Sequence, residues 1–296
     1  MKNQVSVRNF LRLLLIDAIV LALLRLIFLL GGCQPTAETA AQNADSVSLP
    51  VLMYHSVRRG PETDYAVTPD TLEDDLRYLQ QLGWETVSPD QLVEFVYYGV
   101  PLPEKPVLLT FDDGFYNNLT YVLPLLEQFD MCANVNIVGE FSRELAEKDA
   151  HNAAYSYLTA ADIRELTVSG RVTVGNHTDT MHHISDRMGC RMLPGESEEQ
   201  YHSLLRRDIE SAQTFLYRET GVTPFVFAYP YGFDCPESET VLHDLGFQIT
   251  LTCREHINTL THDADCLYGL GRYNRSGLET TESYFSRILR DFPSET

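Results

Sequence analysis

Two adjacent carboxylates follow a strongly apolar stretch of the chain. The stretch Val107–Phe111 has the length and composition of a buried strand, and Asp112, Asp113 and Gly114 come directly after it. Adjacent side chains at a strand end point in different directions, so one carboxylate can bind a metal ion while the other moves protons. Asp-Asp-Gly also suits a plain turn, which is the alternative interpretation of the same residues.

Three histidines lie within seven residues after another short strand. They are His177, His182 and His183, and the strand before them ends near Val174. A cluster of this kind at a strand end favours metal binding over a surface or capping role. One aspartate with two histidines is the ligand set of a catalytic zinc site, which keeps a position open for water and substrate. A divalent metal is therefore expected; zinc suits mixed imidazole and carboxylate ligands, and other divalent ions stay open.

Short apolar strands alternate with helices from Leu49 onward. Thr68-Pro69 and Ser88-Pro89 are helix start signals. Strands of this kind between helices indicate βα units with a parallel sheet, and hence an α/β fold. About seven such units favour a single deformed (β/α)7-type barrel over an open sheet. Barrel chemistry lies at the carboxyl ends of the strands, which selects His55, Asp112, Asp113, His177, Pro230 and Tyr231.

Over residues 49–290 these segments resemble the polysaccharide deacetylase family, carbohydrate esterases that share a NodB-homology domain. The family motif TFDDG stands intact at Thr110–Gly114. The resemblance implies the fold described above. It also implies that Asp112 is the catalytic base and that Asp113 binds the metal.

The family's second motif contains two histidines and begins here at His177-Thr178. The commoner spacing of the motif would place the second ligand at Met181, and a thioether is a very poor zinc ligand. The longer spacing of one branch places it at His182. The resemblance therefore implies His177 and His182 as metal ligands, with His183 as the alternative to His182.

The segment Phe227–Gly232, which reads FAYPYG, resembles the family's third motif. The resemblance implies that the backbone N–H of Tyr231 helps to hold the oxyanion, and that Tyr229 and Pro230 contact the substrate. Packing at the barrel rim is the alternative role for the two tyrosines. The commoner form of the motif has an arginine that orients the catalytic aspartate, and this chain has Ala228 there. That orientation must come from elsewhere or be weaker.

Two histidines compete for the role of general acid. His55 follows the first apolar strand in the string MYHSV, which resembles the MYHxV element of the family branch that includes poly-N-acetylglucosamine deacetylases. His262 lies in Leu260-Thr261-His262, which mimics the Leu-x-His motif of other members. The residues around His262 are polar and indicate a loop. Placement at a strand end therefore favours His55.

The resemblance implies metal-dependent hydrolysis of N-acetyl groups from an N-acetylglucosamine-containing cell-surface polysaccharide, with release of acetate. The expected partner is then an N-acetylated amino-sugar polymer. The formal net charge of -20 argues against nucleic acid, whose phosphates would be repelled.

Two other classes of function stay open. A non-catalytic carbohydrate-binding lipoprotein would have this fold with a degenerate site, as the missing arginine suggests. A glycoside hydrolase would need two carboxyl groups across a cleft, about 5–9 Å apart, and no metal. Adjacent Asp112 and Asp113 beside a histidine cluster argue against the hydrolase.

Residues 1–33 differ in composition from the rest of the chain. A basic flank precedes a mostly apolar run from Leu13 to Leu30, and two glycines lead to Cys33. This pattern resembles a bacterial lipoprotein signal with lipid attached to Cys33, and an uncleaved membrane anchor is the alternative. Either segment would hold the deacetylase-like domain, residues 49–296, on the outer face of the bacterial cell membrane. Residues 34–48 would form a flexible tether.

The remaining cysteines form no CxxC pair, which argues against a cysteine-based zinc site. A disulfide among Cys235, Cys253 and Cys266 stays open at this level.

Overall fold

A computed structural model of the chain describes residues 46–146, 148 and 151–293. The strands in this part of the chain are β1 (Val47–Leu49), β2 (Val51–Tyr54), β3 (Ser56–Val57), β4 (Ala66–Val67), β5 (Glu85–Thr86), β6 (Pro106–Phe111), β7 (Ala133–Ile137), β8 (Val172–Asn176), β9 (Val226–Ala228), β10 (Ile249–Leu251), β11 (Asn258–Leu260) and β12 (Tyr273–Asn274).

Seven of these strands form one curled parallel sheet in the order β10-β9-β8-β7-β6-β2-β12, and β5 pairs with the start of β6. A parallel bridge between Leu251 and Leu270 brings the two ends of the sheet together. Because all of these strands run in the same direction, their carboxyl ends share one rim. The residues that follow β2, β6, β8 and β9 therefore meet there.

Helices cover the outside of the sheet. They are α1 (Pro69–Leu82), α2 (Pro89–Tyr98), α3 (Leu123–Phe129), α4 (Ala160–Val168), α5 (Glu198–Thr220), α6 (Pro236–Asp244) and α7 (Thr281–Arg290). The predicted start of α1 is confirmed, because the Thr68 side chain accepts a hydrogen bond from the backbone N–H of Thr71. The helix ends at Gly83, whose φ of 69° is the left-handed conformation that glycine adopts without strain.

The two faces of β6 show how the sheet separates core from site. Leu109 and Phe111 pack with the helices in the largest hydrophobic cluster. Leu108 belongs to a second cluster that also holds residues of β2, β9 and β10. Thr110 lies on the same face as Leu108 and is completely buried. This face leads at the rim to Asp112.

The chain enters the domain at the end opposite this rim. β1 pairs antiparallel with β11 in a separate two-stranded sheet, with Val47 opposite Leu260. β1 is followed at once by the start of β2, so it lies near the amino end of the parallel strands.

The apolar run at 267–270 predicts a last strand, and the structure shows that this prediction is wrong. A 3₁₀ turn occupies Ala264–Leu267, and the last strand is Tyr273–Asn274, which pairs with β2. Two residues are too few for apolar periodicity to show. The polar segment before His262 also contains β11, which sequence reasoning took for a loop. Asn258 gives this strand a polar sequence. Its side chain is nevertheless satisfied inside the protein, because its amide donates hydrogen bonds to the backbone carbonyls of Leu49 and Gly271.

The predicted signal or anchor at 1–33, Cys33, and most of the tether at 34–48 lie outside the described residues. Within the described part of the chain, no helix has both the length and the hydropathy needed to cross a bilayer. The cysteines in this part are all free, so no disulfide joins Cys235, Cys253 and Cys266 here.

Candidate active site

Three side chains from two strand ends form a cluster of potential metal ligands. Asp113 follows β6, while His177 and His182 follow β8. One ligand atom from each lies within 4.8 Å of the other two. Asp113 Oδ1 is 3.1 Å from His182 Nε2 and 3.7 Å from His177 Nε2. The structure thus brings together the three predicted ligands, and one carboxylate with two imidazoles is a set that could hold a divalent metal ion.

The backbone adopts a left-handed conformation at two turns of the site. Asp113 has a φ of 72° and Thr178 a φ of 70°. Such conformations are uncommon for non-glycine residues and concentrate at functional sites. Asn176 supports the second turn, since its Oδ1 accepts a hydrogen bond from Thr178 N at 2.8 Å. Gly114 allows the first turn to lie against β7, because a Cβ there would come within 2.9 Å of Ile137 Cδ1.

A backbone carbonyl fixes the orientation of His177. The Nδ1 atom of His177 donates to the carbonyl oxygen of Ala228 at 2.7 Å. This bond leaves Nε2 without a proton and directed toward Asp113, as a metal ligand requires. Burial lowers the pKa of His177 to about 4, although Asp112 acts in the opposite direction. The imidazole is therefore neutral at pH 7.

Asp112 is buried and held by a guanidinium. Arg272 donates from Nη1 to Asp112 Oδ1 and from Nη2 to Asp112 Oδ2, both at 2.8 Å. Arg272 is itself fully buried, and its Nε donates to the Thr252 carbonyl at 2.8 Å. Asn136 Nδ2 adds a third hydrogen bond to Asp112, at 2.7 Å. The carboxylate therefore has one fixed orientation.

These contacts keep Asp112 ionised. Burial alone would raise the pKa of Asp112, but the charge and the hydrogen bonds of Arg272 outweigh it and hold that pKa far below its ordinary value. Burial also opposes ionisation of Asp113, whose pKa is nevertheless lowered, chiefly by the neighbouring His182 side chain. Both carboxylates are anionic at neutral pH. Asp112 Oδ2 lies 4.0 Å from His177 Nε2, beside the metal ligands.

His55 completes the rim on the other side of the carboxylates. It directly follows β2, and the backbone N–H of Asp112 donates to the carbonyl of the preceding residue, Tyr54, at 2.9 Å. Tyr65 packs edge-on against the His55 ring, with centroids 5.0 Å apart. His55 Nδ1 is buried and has no hydrogen-bond partner among the described residues.

Comparison with known proteins decides the family. A model of the family described as "Polysaccharide deacetylase" matches residues 99–250, just over half of the chain. The chain belongs to the polysaccharide deacetylase family. A poly-β-1,6-N-acetyl-D-glucosamine N-deacetylase of Escherichia coli K12 is 28% identical over 207 residues, which are 63% of this chain and 31% of that protein. The chain therefore matches only about a third of this relative's length.

Solved structures of similar proteins have the same fold. The structure of IcaB from Ammonifex degensii is 27% identical, with a TM-score of 0.67 over 81% of this chain and 95% of that one. The BpsB deacetylase domain from Bordetella bronchiseptica is 26% identical, with a TM-score of 0.62 over 76% and 95% of the two chains. These likenesses and the curled parallel sheet confirm the predicted deformed (β/α)7 barrel.

Arg272 occupies the role that the family's third motif normally fills. This deacetylase-family chain has Ala228 at the motif's arginine position, and sequence reasoning left the source of orientation open. The guanidinium comes instead from the segment before β12, 160 residues beyond Asp112. Asn136 was also missed. Its signal was the alternation of Asn134 and Asn136 in the otherwise apolar strand β7, where Asn134 Nδ2 donates to Asn136 Oδ1 at 2.7 Å.

Two residues of the third motif, Tyr229 and Pro230, have buried side chains. Tyr229 is only 1% exposed, and Ser238 donates a hydrogen bond to its hydroxyl at 3.1 Å. Pro230 is also buried, with its carbonyl close to Gly189. Substrate contact by Tyr229 and Pro230 stays a prediction, and in this structure both residues are buried. The side chains of Tyr229 and Pro230 face the core. The Tyr231 ring, in contrast, is 40% exposed, and its centroid lies 4.8 Å from that of the His182 ring.

The two alternative histidines lie away from the cluster. His262 Nδ1 bonds the carbonyl of Phe95 in α2, and its ring packs on Phe95 at 4.9 Å. It follows β11, at the end of the barrel where β1 enters. The His183 side chain is 56% exposed and faces Glu140 Oε2 at 3.5 Å. The geometry therefore favours His55 over His262 and His182 over His183, in agreement with the preferred sequence predictions.

Proposed function

We propose that this chain hydrolyses N-acetyl groups of a β-1,6-linked N-acetylglucosamine polymer and releases acetate. The observation that carries the proposal is the convergence of Asp113, His177 and His182 beside a carboxylate held by a buried arginine. Family membership supports the deacetylase reaction. The name of the Escherichia coli relative supports the choice of polymer.

The three clustered side chains fit a divalent cation. Asp113 Oδ1 is buried and accepts no well-aligned hydrogen bond, although His182 Nε2 is 3.1 Å away. An anionic oxygen left in this way costs folding free energy unless a cation pairs with it. Zinc is the proposed ion, since two imidazoles and one carboxylate suit it. When bound, the ion would polarise the acetyl carbonyl and acidify a water molecule.

Asp112 would receive the proton of the attacking water. Arg272 and Asn136 occupy the other hydrogen-bonding positions of the carboxylate, so its Oδ2 presents a fixed lone pair beside His177. Its low pKa makes Asp112 a weak base, and placement rather than basicity is its contribution. The backbone N–H of Tyr231 would donate to the oxyanion, since the left-handed turn at that residue, with φ of 58°, sets its direction.

His55 would protonate the leaving nitrogen. C–N cleavage is slow unless the amine leaves with a proton, and a general acid is the usual source. The buried Nδ1 of His55 has no hydrogen-bond partner in the described part of the chain, so no structural contact occupies this nitrogen. The product is a free amine, which is cationic at neutral pH and is not repelled by a chain of net charge -20.

Neither alternative class of function gains support from this arrangement. A degenerate site was suggested by the missing motif arginine, and Arg272 removes that reason. A glycoside hydrolase needs one carboxyl group that keeps its proton. Both Asp112 and Asp113 have a lowered pKa instead.

We further propose that the domain is anchored outside the cytoplasm by lipid on Cys33. The sequence pattern before Cys33 supports this location. β1 lies at the barrel end opposite the clustered histidines, so this strand does not cover the proposed site.

Acetate release from a β-1,6-linked N-acetylglucosamine hexamer tests the proposal. The purified full chain would be assayed after removal of metal, after restoration with zinc, and as Asp112→Asn and Asp113→Asn. We expect zinc-dependent release, loss of release with retained zinc in Asp112→Asn, and loss of zinc binding in Asp113→Asn. Asp70→Asn, an exposed carboxylate on α1, is the matched control. Absence of release from zinc-loaded chain would refute the activity, and equal release from a β-1,4-linked hexamer would refute the linkage.

A further inference from the structure

Six aromatic rings lie one after another in contact along the rim of the barrel. One of them belongs to His182, a proposed metal ligand. We call this series the aromatic arc; in spatial order its members are Phe115, Tyr157, Phe141, His182, Tyr231 and Phe233. Successive centroids are 5.1, 4.5, 5.5, 4.8 and 6.2 Å apart. The rings come from segments after β6, β7, β8 and β9, and from the segment before α4. Four neighbouring strand ends thus contribute to one continuous surface.

The arc differs from the aromatic packing of the core. Every member is partly exposed, and Tyr231 is 40% exposed. The neighbouring Phe227 and Tyr229, by contrast, are 0% and 1% exposed. Partly exposed rings that contact each other offer a surface that is already ordered, so little side-chain entropy is lost when a ligand binds.

We propose that the aromatic arc binds the sugar rings that flank the residue being deacetylated, and so selects a polymer over a short saccharide. The inference rests on the proposed function, in which an acetylated sugar of the polymer binds at the proposed metal site. A pyranose presents a face of C–H groups that packs on an aromatic ring without needing a charge. A neutral polymer can therefore lie along the arc despite the acidic character of the chain.

The position of His182 within the arc links binding to reaction. Phe141 packs edge-on against one side of this ring, and Tyr231 lies on the other. A polymer held by the outer rings would cross the metal ligand itself, which brings an acetyl group to the reacting atoms. One sugar can cover only part of six rings. We therefore expect affinity and rate to rise with the number of sugars.

Tyr157 is the member that tests the arc best. It is no metal ligand, and it packs between Phe115 and Phe141. Tyr157→Ala removes the middle of the surface, and Tyr157→Phe keeps the ring but not the hydroxyl. For the hexamer we expect kcat/KM to fall roughly tenfold in Tyr157→Ala, mainly through KM, and less than about twofold in Tyr157→Phe. For the β-1,6-linked N-acetylglucosamine dimer as substrate, Tyr157→Ala should change kcat/KM by less than about twofold.

Zinc content and a surface tyrosine provide the controls. Tyr157→Ala should bind as much zinc as the unaltered chain, which shows that the ligand cluster is intact. Tyr98→Ala removes a ring that is 79% exposed at the end of α2, away from the rim, and should leave both substrates unaffected. Equal losses of kcat/KM on the saccharide dimer and the hexamer would overturn the arc as a sugar-binding surface. Similar losses of kcat/KM in Tyr157→Ala and Tyr157→Phe would do the same.

Binding without turnover separates the two proposals. Calorimetry with the hexamer would compare Asp112→Asn with the double variant Asp112→Asn, Tyr157→Ala. We expect the second change to weaken binding roughly tenfold. If the unaltered chain released no acetate but this difference appeared, the deacetylase proposal would fail and the arc would stand. If acetate were released and the two affinities were equal, the arc alone would fail.

Discussion

Arg272→Lys tests whether orientation of Asp112 depends on a guanidinium from outside the family motifs. Lysine keeps the positive charge next to Asp112 but has no planar fork, so it cannot donate to both carboxylate oxygens in the geometry seen here. In the structure both of those hydrogen bonds measure 2.8 Å, and a third reaches the Thr252 carbonyl. We expect kcat to fall while KM and zinc binding stay nearly unchanged.

The magnitudes allow a loss of orientation to be told apart from unfolding. Loss of one charge-assisted hydrogen bond costs about 1.5–3 kcal/mol of folding free energy. A domain with about 5–15 kcal/mol of stability therefore remains folded. Misplacement of a catalytic group by about 1 Å costs on the order of 10²-fold in rate. A fall of that size in a folded variant would be a defect in Asp112 placement, not in the amount of native protein.

Arg275→Lys is the matched control on the other side of β12. Arg275 is as deeply buried, and it donates to Asp75 from Nε at 2.7 Å and from Nη2 at 3.1 Å. We expect a similar loss of stability in urea and a much smaller change in kcat. Steady-state acetate release, urea unfolding and zinc content would be measured on both variants. Equal kcat values in the two variants would refute the role assigned to Arg272.

Three further predictions concern the acid, the sheet and the metal. His55→Gln should lower kcat about 10²–10⁴-fold, while His262→Gln should leave it unchanged; similar losses in both would contradict the assignment of His55. Gly175→Ala would place a Cβ 2.1 Å from Asn136 Oδ1, so we expect about 1–3 kcal/mol less stability and a lower kcat, measured by urea unfolding and acetate release. Zinc at 100 times its dissociation constant should add about 2.7 kcal/mol of stability, seen as a higher Tm; Asp113→Asn should abolish the increase, and its persistence would place the ion elsewhere.

The cluster of potential metal ligands could be predicted from sequence because local patterns place it at strand ends and the family resemblance selects His182 within it. An apolar run followed by two carboxylates, and another strand followed by histidines, place both groups at the carboxyl rim of a parallel sheet. The structure brings Asp113, His177 and His182 within ligand distance of one another, as that rule requires. Helix starts were equally accessible, since Thr68 and Ser88 act as N-caps before proline.

The partners of Asp112 could not be predicted in the same way. Arg272 lies 160 residues away, and the strand beside it has only two residues, so no periodicity marks it. Asn136 sits in a strand whose apolar residues face the other side, and its role depends on the close approach that Gly175 permits. Contacts of this kind depend on how strands pair, which composition and spacing do not encode.

The segment after β10 explains why a chain without the motif arginine can keep an oriented aspartate. Among the strands of the described residues, β12 pairs only with β2, and an arginine flanks it on each side. Arg272 holds Asp112, while Arg275 holds Asp75, which also accepts a hydrogen bond from the hydroxyl of Tyr54, the residue before His55.

One short strand is therefore flanked by an arginine that holds the proposed base and by an arginine that holds Asp75 of α1. The family match covers residues 99–250 and includes neither His55 nor Arg272. The matched region contains the metal ligands and the aspartate, but the groups that would orient that aspartate and protonate the leaving amine come from the flanking segments. A fragment limited to the matched region would therefore keep the potential ligand residues and lose the two groups proposed to orient the base and to protonate the leaving amine.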